Sequence, residues 1–332
     1  MSIPVCSPPE AVAARSSDAD GRPDHTATRD YDRGVATAES PAISTGRLSR
    51  VPSPALVIGG IASVQFGSAI ATKLFSSVGP GGAVLLRLLT ASILLCAVSR
   101  PSLAGRSRRQ LALAVLFGLV LAAMNMTFYH ALQRIPLGIA VTLEFVGPLS
   151  VAVLGSRRRL DLLWAALAIA GILALTHGDA HGLDPLGVIL ALVAGGCWGA
   201  YILVNARVGQ AFSDTSGLAL AMCVATIVSL PIGISEGGAH LLSLRSLAVG
   251  AAVGILSSAI PYSLELEALR RIATHVFGVL MSLEPAVAAL AGFIVLGQGL
   301  SGRELGGMAL VVAASVGASL ATRRSAAAAV MP

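Results

Sequence analysis

From Ala55 onward the chain alternates apolar runs with short polar or Gly/Pro-containing links. About ten runs approach the roughly 20 residues that a helix needs to cross a hydrocarbon core. They fall near residues 55–75, 81–99, 110–131, 136–155, 160–176, 185–206, 215–235, 245–267, 273–296 and 303–322. The pattern predicts an all-α polytopic membrane protein. Residues 1–53 differ: rich in Ala, Ser, Pro, Asp and Arg with no hydrophobic period, they are expected to form a disordered tail. No apolar segment closely follows a basic start, which argues against a cleavable signal peptide and leaves the first apolar run as the membrane address.

The polar positions inside the apolar region recur. NMTFYHALQRIPLGIAVTLEFVGP, from Asn125 to Pro148, is echoed by YSLELEALRRIATHVFGVLMSLEP, from Tyr262 to Pro285. Ala131 and Ala268, Arg134 and Arg271, Ile135 and Ile272, and Pro148 and Pro285 are each 137 positions apart. Phe66-Gly67 matches Trp198-Gly199, and Lys73 matches Asn205, at an offset of 132. These matches point to an internal duplication. Five spans separate the copies, an odd number, so the second half is expected to lie inverted. The expected domains are residues 54–178 and 183–324, two inverted five-helix repeats, with a short tail over 325–332. Secondary transporters use this plan and place the substrate between the halves; a duplicated scaffold or sensor without flux is the alternative.

Charge supplies the orientation. With a cytoplasmic N-terminus, Arg100, Arg106, Arg108, Arg109, Arg157, Arg158, Arg159, Arg207, Arg270, Arg271, Arg323 and Arg324 all fall inside. Only Arg134, Arg245 and Arg303 fall outside, beside His177, Asp179, His181, Asp184 and Glu236. The asymmetry follows the positive-inside rule and puts both termini in the cytoplasm. Of 332 residues, 55% are hydrophobic and 12% charged, against about 25% charged in soluble domains. The net charge of +6 is thus an orientation signal, with no nucleic-acid partner implied. Cys6, Cys96, Cys197 and Cys223 are isolated in sequence, which disfavours a disulfide framework or zinc site.

Carboxyl groups inside a bilayer usually face a protein interior or a water-filled path. Glu144, near the middle of the fourth run, and Glu284, near the middle of the ninth, lead the candidates for substrate binding or proton coupling. Each can exchange a proton or hold an ammonium group, and each also has a structural reading. Asn125 and Tyr129 share a helix face at i, i+4, with His130 one position round; Tyr129 and His130 also read as interfacial anchors. Arg87, between Leu86 and Leu88, is placed to pair with a carboxylate or receive an anionic substrate group. Gln65, Trp198 and Tyr201 are candidate cavity liners, and Tyr262 and Glu265 belong to the second copy of the duplicated segment. Lys73 is expected to snorkel. Gly195 with Gly199, and Gly302 with Gly306, form GxxxG spacings suited to helix contact within one subunit.

Walker, GxSxG and HExxH motifs are absent from the sequence, so no enzyme, cofactor or metal is predicted. Without a nucleotide site, an ion gradient is the energy source expected, and the buried glutamates favour protons. The residue chemistry fits a small zwitterion, with acid for ammonium and Arg87 or a helix N-terminus for carboxylate. Cationic-drug efflux would use acidic and aromatic walls, and aromatics are only 4% of the chain.

IPLGIAVTLEFVGPL (135–149), SRRRLD (156–161), GGCWGAYIL (195–203), LSSAIPYSLELEAL (256–269) and FGVLMSLEPA (277–286) carry a resemblance to the drug/metabolite transporter superfamily with two EamA-type repeats. Within it the chain resembles the threonine/homoserine exporters, from about Leu56 to Ala321. The resemblance implies a ten-helix inner-membrane exporter of small amino acids with a central cavity, in which Glu144, Glu284, Tyr262 and Glu265 match positions of the shared segments. Two features depart from the family pattern: the long N-terminal tail, and Gly297-Gln298 where a Gly-Glu pair is common.

Overall fold

The computed structural model describes residues 51–102, 104–154, 159–176, 183–212, 215–261, 264, 268, 271 and 274–330. Residues 1–50 of the tail expected over 1–53, His177 and His181, and Tyr262, Glu265 and Glu267 lie outside the described residues. All regular structure among the described residues is helical.

Helices α1 (Ser53–Thr72), α2 (Phe75–Ser99) and α3 (Arg108–Leu132) come first. The fourth apolar run divides into α4 (Leu137–Glu144) and α5 (Val146–Leu154), and α6 (Arg159–Thr176), α7 (Pro185–Ala211), α8 (Ser216–Gly237) and α9 (Leu244–Gly254) follow. The ninth run divides into α10 (Thr274–Met281) and α11 (Glu284–Leu296), and α12 (Gly302–Val330) ends the described chain. Six helical segments are long and apolar enough to cross a membrane: Ser53–Thr72, Phe75–Ser99, Arg108–Leu132, Pro185–Ala211, Ser216–Leu242 and Val279–Leu296. Three shorter apolar ones are Leu137–Val151, Leu163–Leu175 and Leu244–Ser258. This is a multi-pass membrane protein. Its outer faces carry Ile93, Ile169, Ile227, Phe293 and Ile294, positions that water would penalise and lipid does not.

Local chemistry sets the helix ends. Ser107 and Gln110 form a reciprocal capping box at α3, satisfying two otherwise orphaned donors. Asp184 accepts from Leu186 N–H at 2.8 Å ahead of Pro185, an N-cap followed by a proline that needs no donor there. Gly297 closes α11 at φ 66°, a conformation glycine adopts without a Cβ penalty. Pro80 lies inside α2, and the preceding Gly79 leaves helical geometry at φ 69°. α2 therefore starts six residues before the expected position 81 and continues across a kink.

The two divided runs break at equivalent places. Pro148 and Pro285 have no N–H to offer the carbonyls of Glu144 and Met281, four residues earlier. The helix interrupts at Phe145 in one run and at Ser282 and Leu283 in the other, so Phe145 and Ser282 repeat the 137-residue offset. Ser282 and Leu283 make the tighter i to i−3 bonds, to Val279 and Leu280. Gln298 joins the two broken runs: its Oε1 accepts from Leu137 N–H, the first residue of α4, at 3.0 Å.

Glycines set the closest helix crossings. A Cβ on Gly195 would stand 2.6 Å from the Glu144 carbonyl oxygen, and one on Gly147 would overlap the Gly195 carbonyl. Gly199 faces Gly147 and Val151. The Gly195/Gly199 pair thus seats α7 on the broken run within one chain. The Gly302/Gly306 pair does not act this way, since both positions are open; Gly307 instead meets Gly171 of α6.

Candidate functional site

A cavity of about 420 Å³ opens beside the two breaks. Glu144 is the last residue of α4 and Glu284 the first of α11, and both line the cavity with only 8% of their surface exposed. Gln65 of α1 reaches the second of these acids: its Nε2 donates to Glu284 Oε1 at 2.9 Å. Glu144 has no hydrogen bond to its carboxyl group among the described residues, and it feels the charges of Glu284 and Arg87. One acid is held by a neighbour and the other is open to a guest.

Arg87 brings the cation. α2 presents it to the cavity wall, where Nη1 donates to the Tyr129 hydroxyl at 3.1 Å and the guanidinium lies 5.6 Å from the Tyr129 ring centre. This orients the planar fork without neutralising it. Tyr129 is wholly buried and so is a core residue rather than an interfacial anchor. Asn125, one turn before, lines the cavity and donates from Nδ2 to the Leu121 carbonyl at 2.9 Å, which leaves its amide oxygen to face other partners.

Trp198 and Tyr201 of α7 complete the wall. Trp198 packs edge-on to Phe145 at 5.3 Å, and Tyr201 lies 5.2 Å from Phe117. Of the ten candidates read from the sequence, Gln65, Arg87, Asn125, Glu144, Trp198, Tyr201 and Glu284 share this cavity. Tyr129 supports it from behind through Arg87; Tyr262 and Glu265 lie outside the described residues. A guanidinium, two carboxyl groups and an aromatic wall suit a small molecule bearing both charges.

Several contributors carried no signal in the sequence. Ser257, 4% exposed in a π-helical turn after α9, and Ser68 of α1 both line the cavity. Cys96 and Cys223, isolated in sequence, bring their sulfurs to 3.4 Å between α2 and α8. Glu236, assigned to a loop by its polarity, belongs to the last turn of α8 and meets His130 at 2.9 Å. The role of Gln298 in capping α4 also bears on the missing family glutamate, because an amide oxygen accepts from a backbone N–H as a carboxylate would.

Residues 185–320 match the EamA-like transporter family. The threonine/homoserine exporter RhtA of Salmonella typhimurium (strain SL1344) is 41% identical over 267 residues, 80% of this chain and 90% of that protein. RhtA of Escherichia coli (strain K12), likewise a threonine/homoserine exporter, is 40% identical over 271 residues, 81% of this chain and 92% of its own. A solved crystal structure at 20% identity superposes with a TM-score of 0.56, covering 81% of this chain and 98% of that one, a likeness of fold alone.

Proposed function

Given that the chain belongs to the EamA-like transporter family, we propose that it exports small hydroxylated amino acids, threonine and homoserine among them, across the bacterial inner membrane. The observation that carries this reading is the cavity: one guanidinium and two carboxyl groups in about 420 Å³ of largely apolar space. Arg87 receives the substrate carboxylate and Glu144 the ammonium, a charge-paired arrangement that a buried site needs to offset desolvation. Glu284, tied to Gln65, helps hold the acid–amide network in register.

The energy source proposed is the proton gradient, with Glu144 exchanging its guest for a proton during alternating access. The two halves, residues 54–178 and 183–324, act as inverted five-helix repeats in a ten-span molecule with both termini cytoplasmic. The equivalent proline breaks support this, since discontinuous helices at the repeat interface are where such transporters bind cargo. Lipid surrounds the outer faces, and protons and a small amino acid are the partners.

A second reading has one observation in its favour. Phe128, Phe145, Trp198, Tyr201 and Phe277 all reach the cavity, so a chain poor in aromatics concentrates them where a cationic drug would stack. Uptake of labelled threonine and homoserine into inverted membrane vesicles under an imposed proton gradient separates the two. Gradient-dependent accumulation over empty-vector vesicles is expected. Accumulation of a cationic dye with no amino acid would transfer the assignment to drug efflux.

A further inference from the structure

His130 ends α3 with both ring nitrogens against acceptors. Nδ1 is 2.7 Å from the Met126 carbonyl oxygen and Nε2 is 2.9 Å from Glu236 Oε1. A carbonyl only accepts, so the first contact needs hydrogen on Nδ1. The second needs another hydrogen, on Nε2 or on Oε1, because a bare ring nitrogen and a carboxylate oxygen both present lone pairs. Glu236 is fixed in turn, its Oε2 accepting from Gly81 N–H at 2.7 Å. We propose that His130 and Glu236 form a binding site for one exchangeable proton, which ties α3 to α8 across a gate between the central cavity and the exterior.

The location supports the gate. An open pocket lined by Phe75, Gly79, Pro80, His130, Arg134 and Glu236 lies at this end of the bundle. Phe75 packs against Tyr129 at 5.9 Å, and the Tyr129 hydroxyl accepts from Arg87 on the cavity wall. A layer of two aromatic side chains therefore lies between pocket and cavity. The α2 kink at Gly79 falls at this layer, with Glu236 against it. The His130 and Glu236 side chains are 26% and 29% exposed, so water reaches the pair and the proton can exchange.

The charged surroundings are few. α8 contributes Glu236 and α2 contributes only Phe75, Ser76, Ser77, Gly79 and Pro80 to the pocket, with Lys73 two residues before α2 begins. Arg134, just beyond α3, is engaged 3.3 Å from Asp184 at the start of α7. His240 lies in the 3₁₀ turn after α8. Among the described residues, Glu236 is the ion-pair partner of His130.

Loss of the proton leaves the Met126 and Gly81 bonds and the α3–α8 packing at Gly118 intact and removes the His130–Glu236 contact at this end alone. The contact is therefore closed while the proton is bound and open once it has left. Closure as a step of export rests on the transport reading; occupancy by the proton does not. In that reading a proton arriving from the receiving side shuts the gate behind departed cargo.

Two measurements on the full chain in lipid nanodiscs and vesicles test this. In ¹⁵N-histidine spectra, with His130 assigned by its disappearance in His130→Gln, Nε2 should lose its contact to a shared proton in one step as pH rises, and Glu236→Gln, which leaves the imidazole without its anionic partner, should move that step to lower pH. Absence of a step in the wild type, or a step that stays at the same pH in Glu236→Gln, overturns the proton site whatever the protein transports. In vesicles, threonine flux should vary with pH on the pocket side by about tenfold, the worth of one charge-assisted hydrogen bond. His130→Gln, whose amide still donates to Glu236 but does not titrate, should flatten that profile; an unchanged profile overturns the gate. Wild-type vesicles that move no amino acid would instead sink the transport reading, and with it the gate, while the spectra still decide the proton site. Should His130→Gln not reach the membrane, Glu236→Gln serves in both assays.

Discussion

Glu144 and Glu284 each follow a leucine, with a proline four residues on in the first case and next in the second, yet the fold treats them differently. Gln65 claims one oxygen of Glu284, while no described residue hydrogen-bonds the carboxyl group of Glu144. The open acid is the one suited to exchange, so Glu144→Gln is expected to lower gradient-driven threonine uptake about ten- to hundredfold, the range set by losing one charged hydrogen bond. Quantitative immunoblotting of the same vesicles should show undiminished protein; undiminished uptake would remove Glu144 from the mechanism. Arg87→Lys keeps a charge but loses the planar fork that rests on Tyr129, and it is expected to weaken threonine binding about tenfold in a competition assay. These residues were legible because a charge inside an apolar run is conspicuous. Ser257 and Ser68 were not, because serine is unremarkable in a membrane helix and only the π-helical turn and the α1 face bring them to the cavity.

Helix ends and crossings were legible wherever a local rule governs them. The Asp184-Pro185 start and the Ser107/Gln110 box follow from short-range chemistry. The carboxyl of Asp184 is held below its usual range first by the hydrogen bond from Leu186 N–H and further by Arg134. Its contribution to stability is therefore complete above the ordinary aspartate value, about 3.9, and disappears as pH falls through the lower folded value. Asp184→Asn, which still caps but does not ionise, should lose this acid-dependent part of the melting curve; an identical pH response in both proteins would contradict it. Crossings were harder to read: the glycine pairs at 195/199 and 302/306 have the same spacing, but only the first meets a neighbouring backbone. Gly195→Val is expected to destabilise the protein by about 1–3 kcal/mol, read by thermal unfolding in detergent, whereas Gly306→Ala, at an open position, should not. The site where the predicted first-to-second helix boundary moved, Gly79-Pro80, shows why proline alone does not end a helix: α2 resumes because Glu236 accepts the freed Gly81 N–H from another helix.

Across the whole molecule, membrane character could be read from hydropathy, while neighbours from distant parts of the chain could not. Cys96 and Cys223 are 127 positions apart, and no spacing rule joins them. With their sulfurs at 3.4 Å, a mild thiol oxidant is expected to link α2 to α8 and leave Cys197 alkylatable, as a non-reducing peptide map would report. If α2 and α8 travel as one unit during transport, the cross-linked protein retains flux; a loss of flux reversed by reductant would show that they slide past one another. The polar tail over residues 1–53 remains legible by composition alone.

The repeated prolines have a mechanical consequence. Straight helices resist bending because each added degree strains hydrogen bonds worth about 0.5–1.5 kcal/mol apiece. At Pro148 and Pro285 one bond that would oppose bending was never formed, so the half-helices on either side meet at a joint held by fewer backbone bonds than an unbroken helix. Because each joint adjoins one glutamate, a small swing of a half-helix carries its carboxyl group bodily through the cavity. Each of the two joints thus stands next to one of the two carboxyl groups that line the cavity.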